Sequence, residues 1–220
     1  MNVAISGDRS SCLALEPAPG SSIVALARGF GSVQGEPVTR IVLNGLRGEL
    51  ARKLRGERLA RACRKPRGVV RVLTGAFGHV NAEVFARSAG NEDYVTAGCS
   101  LTALVLANGS GYLAHTGSTA AYLIRDGNTI ALTQDDAIET PAGRVLTRAV
   151  GCSPALQVAV SSFDVQDGDE LVLGARAGER TVVVRYAAEP AAPDLEGSAA
   201  ARVSRTVALT MFFLLLLCLQ

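Results

Sequence analysis

The sequence predicts an α+β domain: a strand pair and a glycine-rich loop come first, two helical stretches follow, and hairpin-forming strands fill the rest. Apolar residues recur near the helical period from Pro37 to about Arg64 and again from about Val69 to Ala89. From Ser100 onward the pattern changes to short apolar runs separated by Asn108-Gly109 and Asp126-Gly127, dipeptides favoured in tight hairpins. With 220 residues, 48% of them hydrophobic, the chain can build one sizeable core.

In chain order, Cys12–Leu15 and Ser22–Leu26 read as strands around the turn Pro17-Ala-Pro-Gly20, and Gly29 to Gly35 reads as the loop ending the second. The first helix should bury Ile41, Val42, Leu46, Leu50, Leu54 and Leu59 and stop at Pro66 and Gly68. The second should bury Val72, Phe77, Val80, Val84 and Phe85. Strands are then expected at 100–106, 111–116, 120–124, 129–132, 156–164, 169–174 and 180–186. Beyond residue 186 the composition shifts to an Ala/Pro-rich linker, 187–205, and a hydrophobic tail, 206–220.

Composition excludes several chemistries. The five cysteines include no Cys-x-x-Cys pair, and with two histidines there is no zinc-ligand spacing. Scattered thiols fit burial in a reducing compartment, and no signal peptide is visible at Met1–Arg9, so the domain is expected in the cytoplasm. Neither His79 nor His115 has a partner at triad spacing, and no base stands near Ser100, Ser118 or Ser153 in sequence, which argues against a serine hydrolase.

An ordered series of local sequences points to a family. Arg28-Gly-Phe-Gly-Ser32 is followed by Gly98-Cys-Ser-Leu-Thr-Ala-Leu104, Tyr112 to Gly127 (with His115-Thr-Gly-Ser-Thr119) and Leu132-Thr-Gln-Asp135. Leu146-Thr-Arg-Ala-Val-Gly-Cys152 and Asp167-Gly-Asp-Glu-Leu-Val-Leu173 complete it. The series resembles the metal-dependent protein phosphatases of the PPM (type 2C) family over most of residues 9–186. The resemblance implies two antiparallel β-sheets packed as a sandwich flanked by helices. A late helical segment between the last two motifs is nearly deleted.

Phosphatases of this family hold two Mg²⁺ or Mn²⁺ ions between carboxylates, and the ions activate the attacking water. The matching positions here carry no acid. Ser10 and Ser11 stand where the family has Asn-Glu-Asp. Arg28, before Gly29, replaces the aspartate of Asp-Gly-Met-Gly-Gly. Ser118 replaces that of Gly-Asp-Ser-Arg, and Arg176 that of Ser-Asp-Gly. Gly178-Glu-Arg-Thr181 stands for Asp-Asn-x-Thr, with Glu179 one position out of register.

The resemblance therefore implies a pseudophosphatase without cofactor. Arg28, Gly29, Ser118, Arg176 and Gly178 become vestigial metal-site positions able to hold a phosphate group. Alternatively, both arginines turn outward or pair with Asp135, Asp136 or Glu179. The implied partner is a protein kinase or phosphoprotein. The rival reading is an active serine/threonine phosphatase using shifted ligands among Asp8, Asp135, Asp136 and Glu179, and a third is a decayed gene product.

Two further features concern surfaces. Arg40 to Arg71 holds eleven basic residues against Glu49 and Glu57, either a face for anionic lipid or a solvated helix face. No aromatic residue interleaves, which argues against nucleic acid. The 15-residue tail, about 22 Å long as a helix, is shorter than the roughly 20 residues of a membrane span. Its Met211–Leu217 core and flanking Arg202 and Arg205 fit membrane association behind a cytoplasmic domain, and packing on the domain or oligomerisation is the alternative.

Overall fold

The computed structural model describes residues 2–5, 9–33, 36–65, 67–88, 97–141, 143–174 and 182–186. β1 (Asn2–Ile5) and a 3-10 turn at Arg9–Ser11 precede β2 (Cys12–Leu15) and β3 (Ser22–Phe30). The two-residue strands β4 (Ser32–Val33) and β5 (Glu36–Pro37) pair with each other and lead into the helices. These are α1 (Val38–Lys53), α2 (Glu57–Cys63) and α3 (Gly68–Ser88). Next come β6 (Gly98–Ala107), β7 (Ser110–Thr116), β8 (Ala120–Arg125) and β9 (Asn128–Ala131). The hairpin β10 (Ala137–Thr140) and β11 (Gly143–Leu146) follows, then β12 (Ala159–Asp164), β13 (Glu170–Gly174) and β14 (Val182–Arg185).

Two five-stranded antiparallel sheets result, ordered β12-β7-β6-β3-β2 and β1-β14-β13-β8-β9. Side chains alternate across each strand, so the buried apolar residues of β3 and β6 divide between two cores. Ile23, Ala25, Ala27, Leu101, Ala103 and Val105 pack under α1 and α3 with Leu46, Leu73 and Phe77. Val24, Leu26, Leu104, Leu106 and Leu113 instead meet Leu123, Leu171, Leu173, Val182 and Val184 of the second sheet. The architecture is the expected α+β sandwich. Among the described residues helices cover only the first sheet, and β13 and β14 are joined through residues 175–181 alone.

The hairpin chemistry is as the sequence predicts. Ala107 pairs with Ser110 and Arg125 with Asn128, leaving two-residue loops at Asn108-Gly109 and Asp126-Gly127. All four loop residues have positive φ, 53° and 71° in one and 50° and 75° in the other, which matches the right-handed twist of the flanking strands.

Several expectations need correction. The first helix is two: α1 ends where the Leu54 N–H donates to the Leu50 carbonyl, and Gly56 takes φ +52° while its N–H donates to the Pro17 carbonyl at 3.0 Å. Leu54 and Leu59 stay buried on either side, so the apolar spacing runs through a break that only glycine relaxes. The glycine-rich segment is partly strand, since β3 continues through Gly29 and Phe30. In α3, Leu73 is fully buried, whereas Phe85 and Val72 are half-buried. The strand β1 and the hairpin β10–β11 have no counterpart among the expected elements. Thiol burial also splits: Cys99 is enclosed, with its pKa pushed up to about 12 by burial, but Cys152 is exposed.

A compact unit spans Met1–Ala188. The linker and tail lie outside the described residues. No helix among the described residues is long and apolar enough to cross a membrane.

Candidate functional site

The space between the sheets changes character along its length. On β6 the residues facing the second sheet run Leu106, Leu104, Thr102, Ser100, from apolar to polar. On β3 the same face runs Val24, Leu26, Arg28, and on β7 Leu113 then His115. Register places Arg28 opposite Ser100 and Thr102 opposite His115, so these four share one end of the sandwich. The chain crosses from the first sheet to the second at this end, through Gly117, Ser118 and Thr119.

The crossing is tightly bonded. The Ser118 N–H donates to Ser100 Oγ at 3.0 Å, and the two hydroxyl oxygens stand 3.3 Å apart. Gly117 has φ +97°, and a Cβ there would lie 2.3 Å from Ser100 Oγ and 2.7 Å from Ser100 Cα. Its N–H donates to Asp136 Oδ2 at 2.9 Å, while Asp136 Oδ1 lies 2.5 Å from Arg148 Nη2. Asp136 is 4% exposed, so both carboxylate oxygens are already committed within the fold.

Behind Ser100 lies a buried chain of polar groups. His115 Nε2 is 3.0 Å from the Gln134 carbonyl, which can only accept, so the proton sits on Nε2. Nδ1 then accepts from Thr102 Oγ1 at 2.8 Å, and Thr102 Oγ1 accepts from Thr119 Oγ1 at 2.7 Å. Every member is satisfied with a neutral imidazole. Burial depresses the His115 pKa, helped by Arg148 and opposed by Asp136 and the Gln134 carbonyl.

A depressed histidine pKa means the unfolded chain takes up a proton before the folded one does. The contribution is present above the unfolded value near 6.5 and is lost as pH falls below it. Thermal unfolding of the wild type should therefore decline more between pH 7 and pH 5 than that of His115→Gln. Equal pH slopes in the two proteins would contradict the buried neutral imidazole.

The positions singled out from sequence fare differently. Arg28, Gly29 and Ser118 are brought to the same sandwich end as Ser100. Arg28 is exposed and Ser118 half-buried. Gly29 packs against the first turn of α1, where a Cβ would lie 2.5 Å from Thr39 Oγ1, the atom that accepts the Gly29 N–H. Arg176, Gly178 and Glu179 lie outside the described residues, as does Asp8. The carboxylates offered as outward partners have other cations: Asp135 pairs with Arg144 and Asp136 with Arg148. The Thr102–His115–Thr119 chain escaped the sequence reading, although Ser100 and Thr102 at alternate positions in an apolar run signal one polar face.

A pair of hard dications needs several anionic oxygens converging on one point. Among the described residues no three His, Cys, Asp or Glu side chains do so. Ser100, Thr102, Ser118 and Thr119 supply neutral hydroxyls, and the buried carboxylate of Asp136 is bound to Arg148 and Gly117. The described residues do not fit the family's metal pair.

The sequence matches no family model and no curated protein. Solved structures do share the fold. The Mycobacterium tuberculosis serine/threonine phosphatase PstP/Ppp is similar with TM-score 0.57 and 21% identity, over 78% of this chain and 77% of that one. PppA, a key regulatory component of T6SS in Pseudomonas aeruginosa, gives TM-score 0.57 and 22% identity over 78% and 75%. The S. agalactiae serine/threonine phosphatase gives 0.60 and 16% over 78% and 76%. A PPM Ser-Thr phosphatase from Mycobacterium smegmatis also matches, at TM-score 0.53 and 21% identity over 78% and 75%. At these identities the likeness is one of fold: the chain has a PPM phosphatase-like fold.

Proposed function

We propose that this PPM phosphatase-like chain is a pseudophosphatase, a binding module that recognises a phosphorylated protein or protein kinase without hydrolysing the phosphate. One observation carries the reading. At the sandwich end where the motif positions converge, the described residues place the exposed Arg28 and the half-buried Ser118 beside the buried Ser100, and the buried carboxylate of Asp136 is bound to Arg148 and Gly117. A guanidinium and hydroxyls suit a phosphate dianion, which accepts hydrogen bonds and carries negative charge. The same groups oppose a dication. Ser118 supplies a half-buried hydroxyl held by its N–H bond to the buried Ser100, Gly29 keeps the strand close to α1, and Arg28 supplies charge at the exposed edge. The module works at a membrane, to which the apolar stretch Val207–Leu219 tethers it.

The test uses the purified 220-residue chain. Turnover of p-nitrophenyl phosphate should be the same with Mn²⁺ as without metal. A phosphoserine peptide should bind in EDTA, more tightly than its unphosphorylated form. Arg28→Ala should weaken that binding about tenfold or more, the loss expected for a charge-assisted hydrogen bond. Turnover that depends on Mn²⁺ would favour the active-enzyme reading, and equal affinity for the two peptides would end the phosphate reading.

A further inference from the structure

We propose that the end of the helical layer formed by the C-terminal half of α1, α2 and the start of α3 is a docking surface for an anionic lipid bilayer. Charge is strongly segregated in this chain. Residues 40–71 hold eleven of the 22 basic residues and two of the 20 acidic ones, a local charge of +9, which leaves −7 for the remainder. A net charge of +2 conceals that dipole.

The fold gathers most of these cations, while Arg40 stands apart at the start of α1 beside Glu36. Ala62 of α2 abuts Gly68 of α3, where a Cβ would lie 2.1 Å from the Ala62 carbonyl oxygen. Lys53 at the end of α1 reaches to 3.9 Å from the Cβ position of Gly75 in α3. Arg55, Arg58, Arg61, Arg64, Arg67 and Arg71 are all exposed around this junction. Glu49 is held by Lys53 at 2.6 Å and Arg52 at 2.7 Å, and those bonds lower its pKa to about 2, so it stays ionised and offsets only its immediate neighbours. Between α1 and α2 lies a cavity of about 330 Å³ lined by Ala51, Arg52, Arg55 and Arg58. The Arg58 guanidinium is fixed there by donating to the Arg52 carbonyl at 2.7 Å. That space admits a phosphate headgroup.

Two observations favour a bilayer over a nucleic acid. Residues 38–71 contain no aromatic side chain on which a base could stack. The same chain carries an apolar stretch, Val207–Leu219, preceded by Arg202 and Arg205. Several cations within a Debye length of about 8 Å of an anionic surface act together. This surface deepens the membrane location of the proposed function and rests on that location, but on neither tail insertion nor the phosphate reading. The two membrane contacts are separable, because insertion of the apolar tail persists on neutral vesicles, whereas reversing Arg55, Arg61 and Arg64 alters only the docking surface.

The test is co-sedimentation of the full chain with vesicles of phosphatidylcholine alone or with about a third phosphatidylserine. The wild type should prefer the anionic vesicles, and the preference should vanish in high salt. Arg55→Glu/Arg61→Glu/Arg64→Glu should lower partitioning onto anionic vesicles about a hundredfold, at several-fold per cation with three reversed. Its binding to neutral vesicles should be unchanged. Thermal unfolding checks that the variant is folded, and Arg61→Gln/Arg64→Gln/Arg71→Gln gives a milder second reading. Equal wild-type binding to both vesicles would overturn the surface and leave the tail reading standing. Anionic-only binding abolished by the triple variant would do the reverse. Displacement by RNA at lower charge concentration than by anionic vesicles would overturn the bilayer assignment.

Discussion

Gly117→Ala should destabilise the chain by about 4 kcal/mol, combining about 1–3 for a side chain at positive φ with about 1–3 for overpacking. The new methyl group would meet Ser100 at the backbone as well as the hydroxyl, so no rotamer change relieves it. Moving Gly117 away would also stretch its N–H bond to Asp136 and the Ser118 N–H bond to Ser100. Gly127→Ala is the internal control. It has φ +75° but nothing within 4 Å of the added carbon, so it should cost only about 1 kcal/mol. Urea unfolding reads both, as a shift in midpoint at constant slope. A Gly117→Ala cost no larger than that of Gly127→Ala would show that the crossing loop does not press on Ser100. The comparison isolates close approach from backbone conformation.

Phe77→Ala should cost about 3–5 kcal/mol, the range for emptying a fully buried aromatic site. Phe77 is among the largest side chains with no exposure, in the cluster that holds α1 and α3 to the first sheet. Phe85→Ala, two turns further along α3 and half-buried, should cost clearly less. With folded stabilities commonly about 5–15 kcal/mol, the Phe77 change removes a large share of the total. Urea midpoints again decide. Comparable losses at the two positions would mean that the helical layer is not packed around Phe77.

The same pair shows how far sequence reasoning reaches. Spacing identified α3 and put both phenylalanines on its apolar side, but could not rank them. Burial depends on what the first sheet brings opposite each turn. The break at Gly56 was illegible for a related reason, since Leu54 and Leu59 keep helical spacing while the Gly56 N–H goes to the distant Pro17 carbonyl. β1 was invisible because its pairing partner, β14, lies at the far end of the domain. The candidate site divides likewise. Motif order located Arg28 and Ser118 individually. Their meeting through Ser100 needed the β3–β6 register and the sheet-to-sheet crossing.

The sequence by itself determined the helical and hairpin chemistry, the resemblance in motif order, and the residue types Ser10, Arg28, Ser118 and Arg176 at points where the resemblance implies acids. Each is written in local spacing or residue type: a positive-φ turn needs Asn-Gly or Asp-Gly, and serine or arginine cannot ligate as aspartate does. Only the tertiary structure decided which polar groups share one end of the sandwich, that Asp136 is bound to Arg148 and Gly117, and that His115 is buried between Thr102 and the Gln134 carbonyl, which depresses its pKa. Those facts depend on strand register and burial, which arise from contacts between residues far apart in the chain.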